Sequence, residues 1–248
     1  MRNIKLIVCY EGTRYLGWQK NQDAPTIESA LERALFQILR EKVELQAASR
    51  TDAGVHAQGQ VVNFKTEHLM DLPLLIRSLN GVLPQDIRIL SAKEMPPDFH
   101  PTLDNRGKEY LYQICNSPFQ LPFYRHISWH VPTPLDLKQI EKAIPHLLGN
   151  HDFSAFCNDR ALWTRSPFCT LESISLETLP HHRLQIAVKG DHFLYKMVRN
   201  LIGTLVYIGC DKLNPDQIPI ILDNKARSLA GVTAPAHGLS LNKVLIEK

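Results

Sequence analysis

The sequence predicts an α/β protein (α+β class) built from two split β-α-β-β-α-β units, the element order of ferredoxin-like and RRM-like domains. Three observations lead to this class. Strand and helix patterns of hydrophobic residues alternate in that order along the first hundred residues. The second half repeats the order loosely, without a sequence repeat. The composition, 44% hydrophobic and 21% charged, is typical of a globular protein and excludes overall disorder.

Each element of the first half has its own signal. The clearest helix is predicted at 26–40, where the apolar residues fall on one face and Thr26 is a suitable N-cap. A shorter helix at 71–80 is expected to stop at Gly81. Strands are predicted at 3–10, 43–48, 60–66 and 87–94.

The second half is predicted to contain three helices and five strands. The helices lie at 135–148, closed by Gly149, at 194–208 and at 216–223. The strands lie at 108–115, 127–131, 169–177, 183–189 and 239–246. Pro96-Pro97 and the following loop suggest a boundary between residues 1–100 and 101–248. Two such units would place their sheets side by side, with a cleft where they meet.

Composition and targeting signals reduce the number of protein classes to which the chain could belong. The most apolar helical stretch contains Lys196 and Arg199, which argues against a membrane span. The N-terminus enters a strand pattern without a signal peptide, so we expect a cytoplasmic protein. Five scattered cysteines without a C-x-x-C pair argue against a disulfide framework and a zinc ribbon, and the spacing of the histidines argues against a metal site. A net charge of +3 permits a nucleic-acid partner without requiring one.

The turn Ser49–His56, between two predicted strands, has an unusual composition. Asp52 could be a turn cap, the partner of Arg50 in a surface ion pair, or a reacting group. The small residues Ala53 and Gly54 leave room for a ligand to approach the carboxylate. Arg50 can lie beside that carboxylate and keep it ionised, as a nucleophilic aspartate must be.

Two further segments contain candidate functional residues. Tyr110 and Tyr112 face the same way along a strand, and either pack on the sheet, stack on a base or move a proton. In His192–Gly203, Arg199 shares a polar face with Asn200. That face is either solvated or partly buried, and a buried arginine requires a partner such as Asp52 or a phosphate.

Two loops are weaker candidates. The Gly-flanked loop 12–19 lacks the lysine spacing of a P-loop, so it is not a nucleotide cradle. The loop from Arg160 to Arg165 is basic and contains an aromatic residue, which suits an RNA backbone but equally suits open solvent.

Taken together, these segments resemble the TruA family of tRNA pseudouridine synthases. The resemblance lies in YEGTRYLGWQ, SRTDAGVHA, KEYLY, DFSAF, FLYKMVRNLIG and APAHGLSL, which occur in the family's order from Val8 to about Leu241. It implies the pseudouridine synthase fold, in which two α/β halves form one continuous mixed sheet with a central cleft. It also implies a homodimer, free of cofactor and metal, that modifies uridines 38–40 in the tRNA anticodon stem-loop.

The resemblance assigns roles to individual residues. Asp52 matches the catalytic aspartate and Arg50 the arginine beside it. Tyr110 matches the active-site tyrosine that stacks on the target base, and Arg199 the arginine that pairs with the aspartate. Substrate contacts are expected from four further positions: Gln19, His56, Lys108 and Arg165.

Two residues depart from the family pattern. Ser49 stands where glycine commonly precedes the R-T-D core, and Glu172 where arginine is usual. The second change puts in question one basic contribution to RNA recognition. Three chemical roles remain open for the aspartate: attack at C1′, addition to C6 or removal of the C2′ proton. A non-catalytic RNA-binding module and a nucleosidase that releases uracil are the alternative functions.

Overall fold

The computed structural model describes residues 1–21, 24–158 and 166–246. Within these ranges the chain forms ten strands and five α-helices. The strands are β1 (Arg2–Tyr10), β2 (Gln46–Ala47), β3 (His56–Thr66), β4 (Ile87–Met95), β5 (Asn105–Cys115), β6 (Trp129–His130), β7 (Gly149–Asp152), β8 (Phe168–Leu179), β9 (Arg183–Gly190) and β10 (Leu239–Ile246). The helices are α1 (Ile27–Leu39), α2 (Leu72–Val82), α3 (Leu137–Ala143), α4 (Met197–Gly209) and α5 (Gln217–Asn224).

The chain divides into two compact units. The first contains residues 1–106 together with the C-terminal segment from Ser240, and the second contains residues 107–239. The boundary predicted after residue 100 falls shortly before this division, and most of β10 belongs to the first unit rather than the second.

The first unit has a mixed sheet with the strand order β4-β1-β3-β10, and β2 pairs with β3. Strand β1 runs antiparallel to both of its neighbours, so that Leu6 lies opposite Val62 on β3 and Ala92 on β4. Strand β10 runs parallel to β3, with Leu241 opposite Ala57. The alternating burial of β1 shows that one face of this sheet is covered.

Helix α1 buries one apolar face within the first unit. Its N-cap is Thr26, whose side chain accepts a hydrogen bond from the Ser29 amide, as the sequence predicted. Its buried face contains Ile27, Leu31 and Leu35. Because these side chains recur every three or four residues, one stripe of the helix packs inward. Arg33 stays exposed, whereas Glu28 is buried.

The strands of the second unit have the order β5-β9-β8-β7, and β6 pairs with β5 in parallel. In the antiparallel pair of β5 and β9, Tyr110 lies opposite Val188 and Tyr112 opposite Ile186. Helix α4 is buried along most of its length and contacts α3. Both units therefore combine helices with a mixed sheet, which confirms the predicted fold class.

Several predicted element boundaries were wrong: β3 begins at His56 rather than at residue 60, and α4 begins at Met197 rather than at residue 194. Two helix ends were also wrong, and one strand was missed. Gly81 lies inside α2, and the helix ends at Val82 because Leu83 adopts the extended conformation favoured before Pro84. The helix predicted at 135–148 is α-helical only as far as Ala143, since Pro145 has no N–H for an α-helical hydrogen bond and a 3₁₀ turn follows. Strand β7 follows immediately and was not predicted.

Neither a membrane-spanning helix nor a metal-binding cluster is present among the described residues. No helix within residues 1–21, 24–158 and 166–246 is long and apolar enough to cross a membrane. Over the same part of the chain, no group of three or more His, Cys, Asp or Glu side chains could hold a metal ion.

Candidate active site

Asp52 lies in a tight turn between β2 and β3. The Val55 amide donates a hydrogen bond of 3.1 Å to the Asp52 carbonyl, and Gly54 has a positive φ of 76°. The Asp52 side chain is half-buried, whereas Ala53 is exposed. The turn therefore places Asp52 beside a small exposed residue.

A loop after β1, residues 12–18, fixes this turn through its main chain. The Trp18 amide donates to the Thr51 carbonyl at 3.0 Å, and the Gly54 amide donates to the Tyr15 carbonyl at 3.2 Å. Gly17 has a φ of +87°, and a Cβ atom there would lie 2.6 Å from the Thr51 carbonyl oxygen. Only glycine fits this approach, so two segments far apart in sequence hold the carboxylate in place.

Side chains of the sheet hold the start of the turn. The Tyr10 hydroxyl lies 2.8 Å from Thr51 Oγ1. The Gln60 side chain is fully buried, and its amide donates to the Ser49 carbonyl at 2.6 Å and accepts from the Ser49 amide at 3.3 Å. This two-point contact satisfies both ends of a buried amide and fixes Ser49 at the same time.

The carboxylate of Asp86 anchors the loop 12–18. The carboxylate accepts a hydrogen bond of 2.7 Å from the Tyr15 hydroxyl and bonds of 3.0 and 2.5 Å from Arg14. Burial raises the pKa of Asp86, but the hydrogen bonds from Tyr15 and Arg14 outweigh it and leave that pKa below its usual range. Tyr15 therefore connects a charged anchor to the backbone of the Asp52 turn.

Two predicted substrate-binding residues flank these segments: His56 ends the turn, and Gln19 follows the loop 12–18. His56 is buried at the start of β3, and its Nδ1 accepts a hydrogen bond of 3.0 Å from the Gly12 amide. Gln19 is exposed and donates to Glu28 at 2.8 Å. Arg50, predicted to flank the carboxylate, is exposed. His56 thus has a structural contact, while substrate contact by these residues stays a prediction.

In the second unit, β5 presents Lys108, Tyr110 and Tyr112 on one face. Tyr110 is 7% exposed, and the centroid of its ring lies 5.2 Å from that of Phe193 in an edge-to-face contact. The Tyr112 hydroxyl donates to the Pro235 carbonyl at 2.8 Å, and burial raises the pKa of its phenol. Tyr112, which also makes an edge-to-face contact with Trp129 at 6.4 Å between ring centroids, is therefore a structural residue. The contact with Phe193 fixes the plane of the Tyr110 ring.

Arg199 is half-buried in the first turn of α4. Its Nε donates to the Ala234 carbonyl at 2.8 Å, and the Ala234 amide donates to the Arg199 carbonyl at 3.1 Å. The segment around Ala234 approaches α4 so closely that a Cβ on Gly203 would lie 1.6 Å from the Val232 carbonyl oxygen. The Arg199 guanidinium is thus oriented by the backbone of this segment.

A polar network around Asn200, missed at the sequence level, holds the same end of α4. Arg227 donates to Asn200 Oδ1 at 2.9 Å, to Thr233 Oγ1 at 3.0 Å and to the Gly231 carbonyl at 2.7 Å. Asn200 itself is fully buried and donates to the Phe156 carbonyl at 2.6 Å. Burial lowers the pKa of Arg227. Arg227 lies in a segment without clear periodicity, so its only sequence signal was an arginine next to small residues.

The structure groups the predicted residues by unit. Asp52, Arg50, Gln19 and His56 lie in the first unit, whereas Tyr110, Lys108 and Arg199 lie in the second. Arg165 lies outside the described residues. The pairing of Arg199 with Asp52 would join residues of both units and stays a proposal.

The departure at position 172 has a local explanation. Glu172 forms an ion pair of 2.5 Å with Lys189 on the adjacent strand β9. Both side chains are partly exposed, so the pair contributes little to stability. It does neutralise a lysine that would otherwise add positive charge to this strand.

Known proteins identify the class to which this chain belongs. The model of the tRNA pseudouridine synthase family matches residues 6–104 and 143–245. The tRNA pseudouridine synthase A 2 of Protochlamydia amoebophila is 54% identical and covers 99% of this chain and 94% of its own length. The tRNA pseudouridine synthase A of Acetivibrio thermocellus is 43% identical over 98% of this chain and 99% of its own. A solved Cbf5-Nop10-Gar1 complex has a TM-score of only 0.39 at 12% identity, over 97% of this chain and 59% of that one, and carries no weight.

These matches define an enzyme, an isomerase that acts on tRNA. The chain belongs to the TruA family of tRNA pseudouridine synthases, as the resemblance of its motifs implied.

Proposed function

We propose that this enzyme converts uridines 38–40 of the tRNA anticodon arm to pseudouridine, with Asp52 as the catalytic carboxylate. The observation that carries the proposal is the Asp52 turn. Its backbone is held by Trp18 and Tyr15, and a neighbouring glycine allows the close approach of the two segments. A catalytic group on a fixed backbone needs little reorganisation when substrate binds.

The reaction breaks the C1′–N1 bond of uridine and forms a C1′–C5 bond, while C5 loses a proton and N1 gains one. It requires a carboxylate close to the sugar or the ring, and a group that takes the C5 proton. Asp52 supplies the carboxylate, by attack at C1′, addition to C6 or removal of the C2′ proton. The target uridine must leave its stack, which costs a few kcal/mol that contacts with the enzyme offset.

The remaining residues are proposed to prepare this carboxylate and its substrate. Tyr110 stacks on the extruded base or accepts the C5 proton, and its edge contact with Phe193 fixes the plane of its ring. Arg50 and Arg199 keep Asp52 ionised. The hydrogen bond of Arg199 to the Ala234 carbonyl orients its side chain before substrate binds.

Four residues are proposed to contact the RNA: Gln19, His56, Lys108 and Arg165. The first subdomain, residues 1–100, supplies Asp52, and the second, residues 101–248, supplies Tyr110 and Arg199. We further propose that the enzyme acts in the cytoplasm as a homodimer, which sedimentation equilibrium of the purified protein would test.

The decisive experiment compares Asp52→Asn with a matched control, Asp71→Asn. Asp71 is an exposed aspartate at the start of α2 whose side chain makes no capping hydrogen bond. The substrate is unmodified tRNA that carries tritium at C5 of uridine. We expect the Asp52 variant to release tritium about a thousandfold more slowly or worse, and the control to match wild type. Full activity of Asp52→Asn would show that another group performs the chemistry.

The position of the modification requires a separate experiment. Pseudouridine mapping of tRNA from cells with and without this protein should differ at positions 38–40. Loss of pseudouridine elsewhere in tRNA, with 38–40 unchanged, would contradict the assignment to the anticodon arm. Release of free uracil instead of pseudouridine would indicate a nucleosidase.

A further inference from the structure

A loop in the second unit exposes an unusual amount of aromatic surface. We call residues 117–127, between β5 and β6, the aromatic loop. Within it Phe119 is 82% exposed and Phe123 is 90% exposed. Leu121 and Ile127 are exposed as well. Single exposed apolar residues are ordinary, but a group of them within one loop marks an interaction site.

The aromatic loop is held in shape by its own hydrogen bonds. The Ile127 amide and the Ser128 hydroxyl both donate to the Tyr124 carbonyl, at 3.0 and 2.9 Å. The Gln120 side chain donates to the Ser128 carbonyl at 3.0 Å. Because the backbone is already ordered, presenting the two phenylalanine rings to a partner costs little conformational entropy.

The turn between β8 and β9, residues 180–182, lies against this loop. The Asn116 amide, next to the loop, donates to the His182 carbonyl at 2.8 Å. Arg183 places its guanidinium carbon 3.9 Å from the centroid of the Tyr124 ring, and the His181 ring lies 6.2 Å from the same ring. The aromatic loop, the turn and Arg183 thus form one surface, the aromatic patch.

The charge of the aromatic patch has one sign. No aspartate or glutamate occurs between residues 110 and 135, whereas Arg125 and His126 lie within the loop and are exposed. The adjoining turn adds the exposed residues His181 and His182. A surface that combines exposed rings with cations suits an anion that also carries flat, apolar faces.

We propose that the aromatic patch binds unpaired nucleotides of the tRNA substrate. Bases stack on Phe119 and Phe123, and the adjoining phosphates face Arg125 and the histidines. The inference goes beyond the proposed function and shares with it only the identity of the substrate as tRNA. It assigns an RNA-binding role to side chains that lie outside the motifs shared with the family.

A second copy of the chain fits this surface less well. In a two-fold symmetric contact centred on the aromatic patch, Arg125 and Arg183 of one copy would lie close to the same cations of the other. Like charges placed together in an interface oppose association. A polyanion with stacking bases can stack on the exposed rings and place its phosphates beside the cations at the same time.

The experiment measures steady-state kinetics on unmodified full-length tRNA for the double variant Phe119→Ala/Phe123→Ala. The control is Phe36→Ala, which removes a 48% exposed phenylalanine from α1. We expect KM of the double variant to rise about tenfold or more, because each lost stacking contact weakens RNA binding, and kcat to stay within twofold of wild type. The control should leave both constants unchanged.

Two further variants separate stacking from simple hydrophobic contact. Phe123→Trp keeps a π-face and should keep KM near the wild-type value, whereas Phe123→Leu keeps an apolar side chain and should raise KM. Equal KM values for these two variants, or an unchanged KM of the double variant, would overturn the proposal. So would sedimentation showing that the double variant loses a dimer which wild type forms.

Failure of the proposed function would look different. In that case Asp52→Asn would stay active, or wild type would make pseudouridine outside the anticodon arm, and neither result depends on Phe119 or Phe123. The two ideas are therefore tested by separate readouts.

Discussion

The Asp52 turn and the start of α4, which carries Arg199, are fixed in different ways. Two main-chain hydrogen bonds from the loop 12–18 hold the turn, at Thr51 and Gly54. At the start of α4 the Arg199–Ala234 contact is supported by side chains, which centre on the buried Asn200 and on Arg227. The turn depends mainly on main-chain contacts, with side-chain support from Tyr10 and Gln60 at its start, whereas the start of α4 also depends on a buried network with a charged donor.

This difference predicts different sensitivities. A site whose main contacts are between backbone segments fails where a Cβ atom blocks the approach of those segments. A site held by a buried network fails when any one member is removed, because the remaining polar groups lose their partners. The predictions below test this contrast, from the largest expected effect to the smallest.

The largest effect is expected from Gly203→Ala. The new Cβ would lie 1.6 Å from the Val232 carbonyl oxygen, so the segment must move away from α4 and break its contacts with Arg199. We expect a loss of about 3 kcal/mol or more in the free energy of unfolding, measured by urea denaturation. The matched control is Gly81→Ala in α2, where a Cβ meets nothing within 4 Å. It should be neutral or stabilising by about 0.5–1 kcal/mol.

Arg227→Ala tests the network itself. It leaves Asn200 Oδ1, Thr233 Oγ1 and the Gly231 carbonyl without their shared donor. We expect a loss of about 2–3 kcal/mol in unfolding free energy, together with a lower kcat because Arg199 is less well oriented. Arg88 likewise donates to backbone carbonyls, of Pro84 and Ile87, but outside such a network.

The control variant for that experiment is therefore Arg88→Ala, which should change stability by less than about 0.5 kcal/mol. If Arg227 orients Arg199, then Arg227→Ala should add no further loss of kcat once Arg199→Ala is present. An additive loss in the double variant would mean that the network supports the fold without orienting the arginine.

Gly17→Ala tests the backbone contact of the Asp52 turn. The residue has a φ of +87°, and its added Cβ would lie 2.6 Å from the Thr51 carbonyl oxygen. We expect about 2 kcal/mol of destabilisation from the strained conformation. Tritium release should fall more than stability alone explains, because the turn itself moves. Activity equal to wild type at a temperature where the variant is fully folded would contradict the role of Gly17.

How much of the fold and of the candidate site could be predicted from the sequence depends on how far apart in the chain the interacting residues lie. Thr26 and the apolar face of α1 are local features, so the helix was predicted closely. The Asp52 turn was recognised because a carboxylate, two small residues and an arginine stand together in the chain. Gly17 has no such signal, since its constraint comes from Thr51, which is distant in sequence.

The polar network shows the same limit in the second unit. Asn200 was identified on a polar face of a helix, and a solvated face was the simpler interpretation of that pattern. In the structure Asn200 is fully buried, because Arg227 and Thr233 provide its partners. Periodicity shows which residues share a face, but only the tertiary structure shows what covers it.

The smallest effect concerns Asp86, which anchors the loop behind the Asp52 turn. Its pKa is lowered in the folded state, as hydrogen bonds from Tyr15 and Arg14 outweigh burial. A lowered folded pKa means that stability from the charged form is complete above the unfolded pKa of about 3.9, and is lost as pH falls through the folded value.

Asp86→Asn keeps an acceptor for the Tyr15 hydroxyl but removes the charge. Its melting temperature should therefore fall less steeply than that of wild type between about pH 5 and pH 2, and the two curves should converge at the acid end. The difference is expected to be small because Arg14, the charged partner, is largely exposed and solvent screens the pair. Asp152 also has a lowered pKa and contributes its own acid dependence, which is common to both proteins. If the melting temperature depended on pH equally in both proteins, the charge of Asp86 would make no contribution to holding Tyr15 and the Asp52 turn.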